Sequence, residues 1–312
     1  ILFYPASLFS VSCPPFLLLV CREVSVPVFV LLSSSILWGL TWLPLKFLHG
    51  RGIEGLPLIL VSYGAVALLL APLLWRQRSC WTGGAGALGL IFLLGGCANL
   101  TFNLALMHGD VVRVMVLFYL MPVWSAAGGR LFLGEAIDRQ RLVSVALALG
   151  GALLILGGWN ILEQPLGWLD LLALVSGLTF ALNNIAFRAS PALPLATKVG
   201  AMFTGCAALT GLLLVAGVQP DLAASPAWQP AAFGWMALMG LIWFLASLGT
   251  LWAVIRLQAG QAGVIMVMEL LSAVVSAAWL GESVLTTLKL AGVVCVLAAA
   301  LLEAWRPGAA GH

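Results

Sequence analysis

Charge is what this sequence has least of. Of its 312 residues only 8% are Asp, Glu, Lys or Arg, against about 25% in an ordinary soluble domain. Fourteen basic and 11 acidic residues cannot cover the outside of a soluble fold of this length. The three histidines, His49, His108 and His312, come without HExxH, GxSxG or a phosphate-binding loop. No enzyme is therefore expected, and ATP-driven pumping by this chain alone is excluded. The six cysteines, Cys13, Cys21, Cys80, Cys97, Cys206 and Cys295, show neither CxxC nor metal-ligand spacing, so no disulfide scaffold, metal or cofactor is expected. A net charge of +3 without any Lys/Arg run argues against nucleic acid as a partner.

What is abundant is hydrophobic surface. Apolar residues make up 62% of the chain, roughly 190 residues, which is enough for about nine or ten bilayer crossings at about 20 residues each. The fold class is therefore all-α integral membrane. Apolar stretches separated by short polar breaks place ten transmembrane helices at 26–48, 54–75, 84–107, 111–133, 140–158, 166–187, 195–217, 231–254, 260–281 and 285–304. Residues 1–25 form an N-terminal extension, an appendage or an eleventh span: they are apolar but broken by Pro14-Pro15, and no basic start marks a signal peptide. Residues 305–312 are a C-terminal tail.

Lys and Arg set the orientation, because cytoplasmic loops hold an excess of both. With the N-terminal side of span one inside, the inner loops and tails collect Arg22, Arg76, Arg78, Arg139, Arg141, Arg188, Lys198, Arg256 and Arg306, while the outer side keeps little beyond Arg51 and Lys289. Both termini are thus expected in the cytoplasm of a multi-pass protein, in a bacterial inner (plasma) membrane.

Two anchors recur in the same order. Gly39-Leu40-Thr41-Trp42 in span one returns as Gly177-Leu178-Thr179-Phe180 in span six. Phe132-Leu133-Gly134-Glu135 at the end of span four returns as Trp279-Leu280-Gly281-Glu282 at the end of span nine. The pairs lie 138 and 147 residues apart, and the longer loop at 219–230 absorbs the difference. Five spans per half is an odd number, so the halves, 26–158 and 166–304, cross in opposite senses. Two inverted five-helix repeats are the architecture of secondary transporters, with the substrate near midplane between them.

These residues also resemble a known family, the drug/metabolite transporter superfamily in its EamA-type ten-helix form. The resemblance covers residues 30 to 305. It rests on Leu37-Trp38-Gly39-Leu40-Thr41-Trp42 with Lys46, on Ala105-Leu106, on Tyr119-Leu120-Met121-Pro122-Val123, and on the two Leu-Gly-Glu endings. It implies two five-helix repeats, a central cavity lined mainly by spans one, three, four, six, eight and nine, and carriage of small metabolites, often outward. The sequence departs from the family in span nine, with Glu269-Leu270 where Glu-Pro is common, so a bend like that at Pro122 is not carried over to span nine.

Glu269 is the sharpest candidate, since a carboxylate midway along an apolar span cannot stay charged in hydrocarbon without a partner or water. It reads as a proton carrier or a counter-ion for a substrate amine, or else as a protonated packing residue. Ser272 and Ser276 follow at i+3 and i+7 and share its face. Trp38, Trp42 and Lys46 step by four along span one, a face that can stack on a substrate, although Lys46 also suits a snorkelling anchor. Asn99, Asn103, Asn183 and Asn184 either line a polar path or clip helices together, each hydrogen bond being worth roughly 0.6 to 2 kcal/mol. Tyr119 precedes Pro122 by three residues and is a further cavity candidate. Asp110 and Arg113 at the outer start of span four can pair with each other, Asp110 as a helix cap and Arg113 as an outer gate. Glu135 and Glu282 read first as turn residues.

The leading expectation is a secondary transporter of small organic metabolites, amino acids or amines among them. It would act as an exporter by alternating access, with proton coupling through Glu269. Its partners would be a small-molecule substrate, protons and the lipid bilayer, with monomer and homodimer both open. Two alternatives stand beside it: a lipid flippase or scramblase on the same scaffold, and an uncoupled facilitator.

Overall fold

The computed structural model describes residues 26–81, 83–108, 111–157, 165–217, 229–281 and 286–305. The extension at 1–25, Asp110, Glu282 and the tail after Trp305 lie outside these residues. Among the described residues every long element is helical, and ten segments are long and apolar enough to cross a bilayer. They are Val26–His49, Gly55–Arg76, Ala85–Leu106, Arg113–Leu133, Arg139–Leu156, Trp168–Ala189, Leu195–Val215, Pro230–Val254, Ala259–Trp279 and Thr287–Ala304, numbered here as spans one to ten. Leu68, Leu69 and Val294 are each about two-thirds exposed or more (75, 64 and 64%), which only lipid can cover.

Three spans are interrupted. Span one breaks after Gly39 and resumes at Trp42, span four breaks after Phe118 and resumes at Met121, and span nine breaks after Met266 and resumes at Met268. Two of the breaks have prolines close behind. Pro44 and Pro122 lack the N–H that would have bonded the carbonyls of Leu40 and Phe118 four residues back. Span nine has no proline there, yet it interrupts as span four does, contrary to the sequence reading. Its chain tightens instead into single i−3 bonds, from Val267 N–H to Val264 O (3.1 Å) and from Leu270 N–H to Val267 O (3.0 Å).

The recurring Gly-Leu-Thr-aromatic anchor has its physical reason at these breaks. A Cβ on Gly177 would stand 2.7 Å from the carbonyl oxygen of Phe118, at the break of span four. A Cβ on Gly39 would collide with the carbonyl oxygen of Glu269 and with Ser272 Oγ, beside the break of span nine. Each anchor therefore lets a span of one half lie backbone-close against the interrupted span of the other. The principal span contacts are five with ten, three with six, one with eight, two with seven, three with seven, two with eight, four with six, nine with one and four with nine. Exchanging spans one to five with six to ten maps this set onto itself.

Packing divides into two large apolar clusters. One gathers Tyr63, Phe203, Met236 and Trp243 from spans two, seven and eight with neighbours from span three. The other gathers Leu31, Phe118, Tyr119, Ala148, Val264 and Val296 from spans one, four, five, nine and ten. Between them lies the space taken up below.

Gly177→Ala is expected to destabilise the protein by about 1–3 kcal/mol, the usual cost of overpacking a close contact. Gly64→Ala in span two, where a Cβ meets nothing within 4 Å, should be neutral or slightly stabilising. Unfolding of both variants in detergent micelles checks this, and equal losses would contradict the proposed role of Gly177.

Candidate functional site

A cavity of about 320 Å³ occupies the middle of the bundle, within the size range of small-molecule sites. Its wall includes Trp38, Trp42, Asn99, Asn103, Tyr119 and Glu269, six of the residues expected from sequence. Tyr63 of span two and Trp243 of span eight complete it. A narrower pocket of about 60 Å³ shares Trp38, Asn99, Phe102 and Glu269 and reaches span six at Ser176 and Phe180. The lining comes from the C-terminal halves of spans one and three and the N-terminal halves of spans two and four. This places the cavity toward the end of the bundle where spans one and three finish.

Glu269 sits two residues past the break at Val267, and that interruption turns its side chain onto the cavity. Among the described residues, none donates a hydrogen bond to its carboxylate or forms an ion pair with it. Three other polar groups of the wall are engaged with protein. The Tyr63 hydroxyl donates to Asn99 Oδ1 (2.6 Å), Asn99 Nδ2 to Gly95 O (2.8 Å) and Asn103 Nδ2 to Asn99 O (2.7 Å).

Other expected residues fall elsewhere. Ser272 donates to Glu269 O (2.9 Å) and Ile36 O (3.2 Å), and Ser276 accepts the Trp42 indole N–H (3.0 Å). Both serines stitch span nine to span one and line a separate apolar groove of about 480 Å³ between spans one, nine and ten. Ser272 is turned about 60° from Glu269 toward span one, and Ser276, nearly in line with Glu269, lies about 10 Å further along the helix. Lys46 is exposed near the end of span one, away from the cavity. Asn183 and Asn184 are buried, their amides reaching the sulfurs of Met202 (3.7 Å) and Met266 (4.0 Å), where they join span six to spans seven and nine.

Charge pairing at the span ends escaped the sequence reading. Arg113 makes a bidentate pair with Asp170 of span six, Nε to Oδ1 at 2.6 Å and NH2 to Oδ2 at 2.8 Å, a partner 57 residues away, while the expected pairing with Asp110 lies outside the described residues. At the opposite end Glu135 is not merely a turn residue. Gly134 takes the left-handed conformation, φ 68°, which turns Glu135 inward. There it pairs with Arg188 and accepts from Ala259 N–H (2.8 Å) at the start of span nine, a position that favours an anion. Arg141, 1% exposed, donates to Gln258 Oε1 (2.6 Å) and lies 3.1 Å from Glu303 Oε1. Lys198, 2% exposed, donates to Phe187 O (2.6 Å). Arg141 and Lys198, taken as loop charges, are thus structural. No spacing rule reveals these pairs, since every partner comes from a different span. Two facts were available in the sequence: Leu-Gly-Glu recurs, and Glu303 stands within an apolar span.

Glu135→Ala is expected to cost about 3 kcal/mol, the lower end for breaking a buried pair, because Arg188 keeps 27% of its side chain exposed. Arg188→Ala added to that background should cost little more. Unfolding of the single and double variants tests the pair, and additive losses would contradict it.

Residues 25–157 match the EamA-like transporter family. No curated protein sequence matches the chain. Among solved structures, a crystal structure of a protein 13% identical to this chain aligns over 88% of it and 95% of its own length, with a TM-score of 0.62, a likeness of fold. The family match suggests a membrane transporter of small molecules, and the ten apolar helices fit a multi-pass membrane protein. Over residues 25–157 the chain is thus similar to the EamA-like transporter family, consistent with the drug/metabolite transporter superfamily that its motifs resemble.

Proposed function

We propose that the protein is a secondary transporter of small organic metabolites, amines or amino acids among them. It exports them by alternating access between two inverted five-helix halves, 26–158 and 166–304. The observation that carries this reading is the central cavity, with the Glu269 carboxylate in its wall and lining from both halves. In the orientation given by Lys and Arg, both termini are cytoplasmic and the cavity lies toward the outer side. Ion pairs join the halves at both ends, Arg113 with Asp170 outside, and Glu135 with Arg188 and Arg141 with Glu303 inside. Rocking one half against the other parts these contacts in turn.

Glu269 serves as the coupling group in this scheme, holding a proton when no cargo is bound. The other titratable side chains of the cavity wall are the phenols of Tyr63 and Tyr119. The outer groove does not favour lipid handling. It is almost wholly apolar, and its serines already bond to protein, so it offers a headgroup no polar path.

Uptake by proteoliposomes across a metabolite panel, with and without a pH gradient, tests the proposal. Flux of at least one soluble metabolite, stimulated by the gradient, is the expected result. Glu269→Gln should fold normally and lose that stimulation. Absence of flux for every soluble metabolite would overturn the transporter reading, and unchanged stimulation in Glu269→Gln would remove the coupling role.

A further inference from the structure

The cavity is chemically one-sided. Among its described lining residues Glu269 is the one carboxylate, and no Lys, Arg or His accompanies it. Arg113, two residues before the lining residue Met115, is held bidentate by Asp170. Several of the wall's hydrogen-bond donors are turned to the protein as well. The Trp42 indole N–H goes to Ser276 Oγ (3.0 Å) and the Tyr63 hydroxyl to Asn99 Oδ1 (2.6 Å). The hydroxyls of Thr41 and Ser176 go to the backbone carbonyls of Trp38 (2.7 Å) and Ala98 (2.8 Å). The charged and π-bearing groups that the wall leaves for a ligand are all negative: the carboxylate and the ring faces of Trp38, Trp42, Phe102 and Tyr119, whose π-systems attract cations, while the donors that remain, such as the Tyr119 hydroxyl, are neutral.

Resting on the reading of this cavity as the transport site, we infer that its cargo is a singly positive organic amine with a flat apolar body, and not a zwitterion or an anion. The ammonium neutralises Glu269, which in a dry site needs a counter-charge, and the body lies against the aromatic faces. A cargo carboxylate would enter a site without a cation and add a second negative charge beside Glu269. Such a difference of charge alone discriminates strongly, because a buried charge left unpaired is costly while a paired one is not.

Three probes with one ring system separate the classes: tryptamine, a cation; tryptophan, a zwitterion; and indole-3-acetate, an anion. Binding to the purified chain in detergent is measured by calorimetry, and flux of each is measured in proteoliposomes. Tryptamine is expected to bind at least about tenfold more tightly than either of the others. Glu269→Gln should abolish that preference and Glu269→Asp should retain it, both variants keeping the wild-type melting temperature. Equal or tighter binding of tryptophan overturns the cation assignment and, if tryptophan is also carried, leaves the transporter reading standing. Selective tryptamine binding without flux of any probe supports the site's chemistry and counts against transport.

Discussion

Inside a bilayer every full charge has to be neutralised where it stands, since hydrocarbon solvates none, and this protein is organised around how its few charges meet that demand. Glu135, Arg141, Arg188 and Glu303 meet it among themselves at one end of the bundle, two of each sign. Arg113 and Asp170 meet it at the other end. Lys198 uses the end of span six, donating to the Phe187 carbonyl. Glu269 is treated differently: it is set on a cavity wall where no group among the described residues pairs with its carboxylate, and in the proposed scheme its neutralisation falls to a proton or the cargo. A carboxylate in that position makes the cavity more than a packing defect.

The same constraint explains the shape of the scaffold. Interrupted helices are tolerated in lipid only where the freed backbone groups face protein or a cavity, and the breaks at Phe118 and Met266 do so. The first is packed by Gly177, and beside the second the Glu269 carbonyl is packed by Gly39. Backbone-to-backbone approach at two equivalent places joins the halves through small residues. The ion pairs at the ends join them through charge.

Much of this was legible in the chain. Span number and placement followed from hydrophobic runs within a few residues, because the length of a crossing is set by bilayer thickness and not by tertiary detail. Trp38, Trp42, Asn99, Asn103, Tyr119 and Glu269 were legible as polar or aromatic interruptions of apolar spans, and the structure brings them to one cavity. The limits were those of one-dimensional spacing. Ser272 and Ser276 follow Glu269 at helical intervals yet fall on the seam with span one. The break at Val267 has no proline to announce it. Tyr63 and Trp243 stand in apolar stretches where nothing local singles them out. The partners of Arg113, Glu135 and Arg141 lie in other spans, and a pairing that depends on how ten helices assemble leaves no mark in local sequence.

The central claim is that Glu269 alone among the deeply placed carboxylates is available to an outside partner. Treating the purified protein with a hydrophobic carbodiimide, followed by peptide mass mapping, measures that availability directly. An adduct on Glu269, with Asp170, Glu135 and Glu303 unmodified, is the predicted result. Reaction at those three carboxylates with Glu269 untouched would contradict the account.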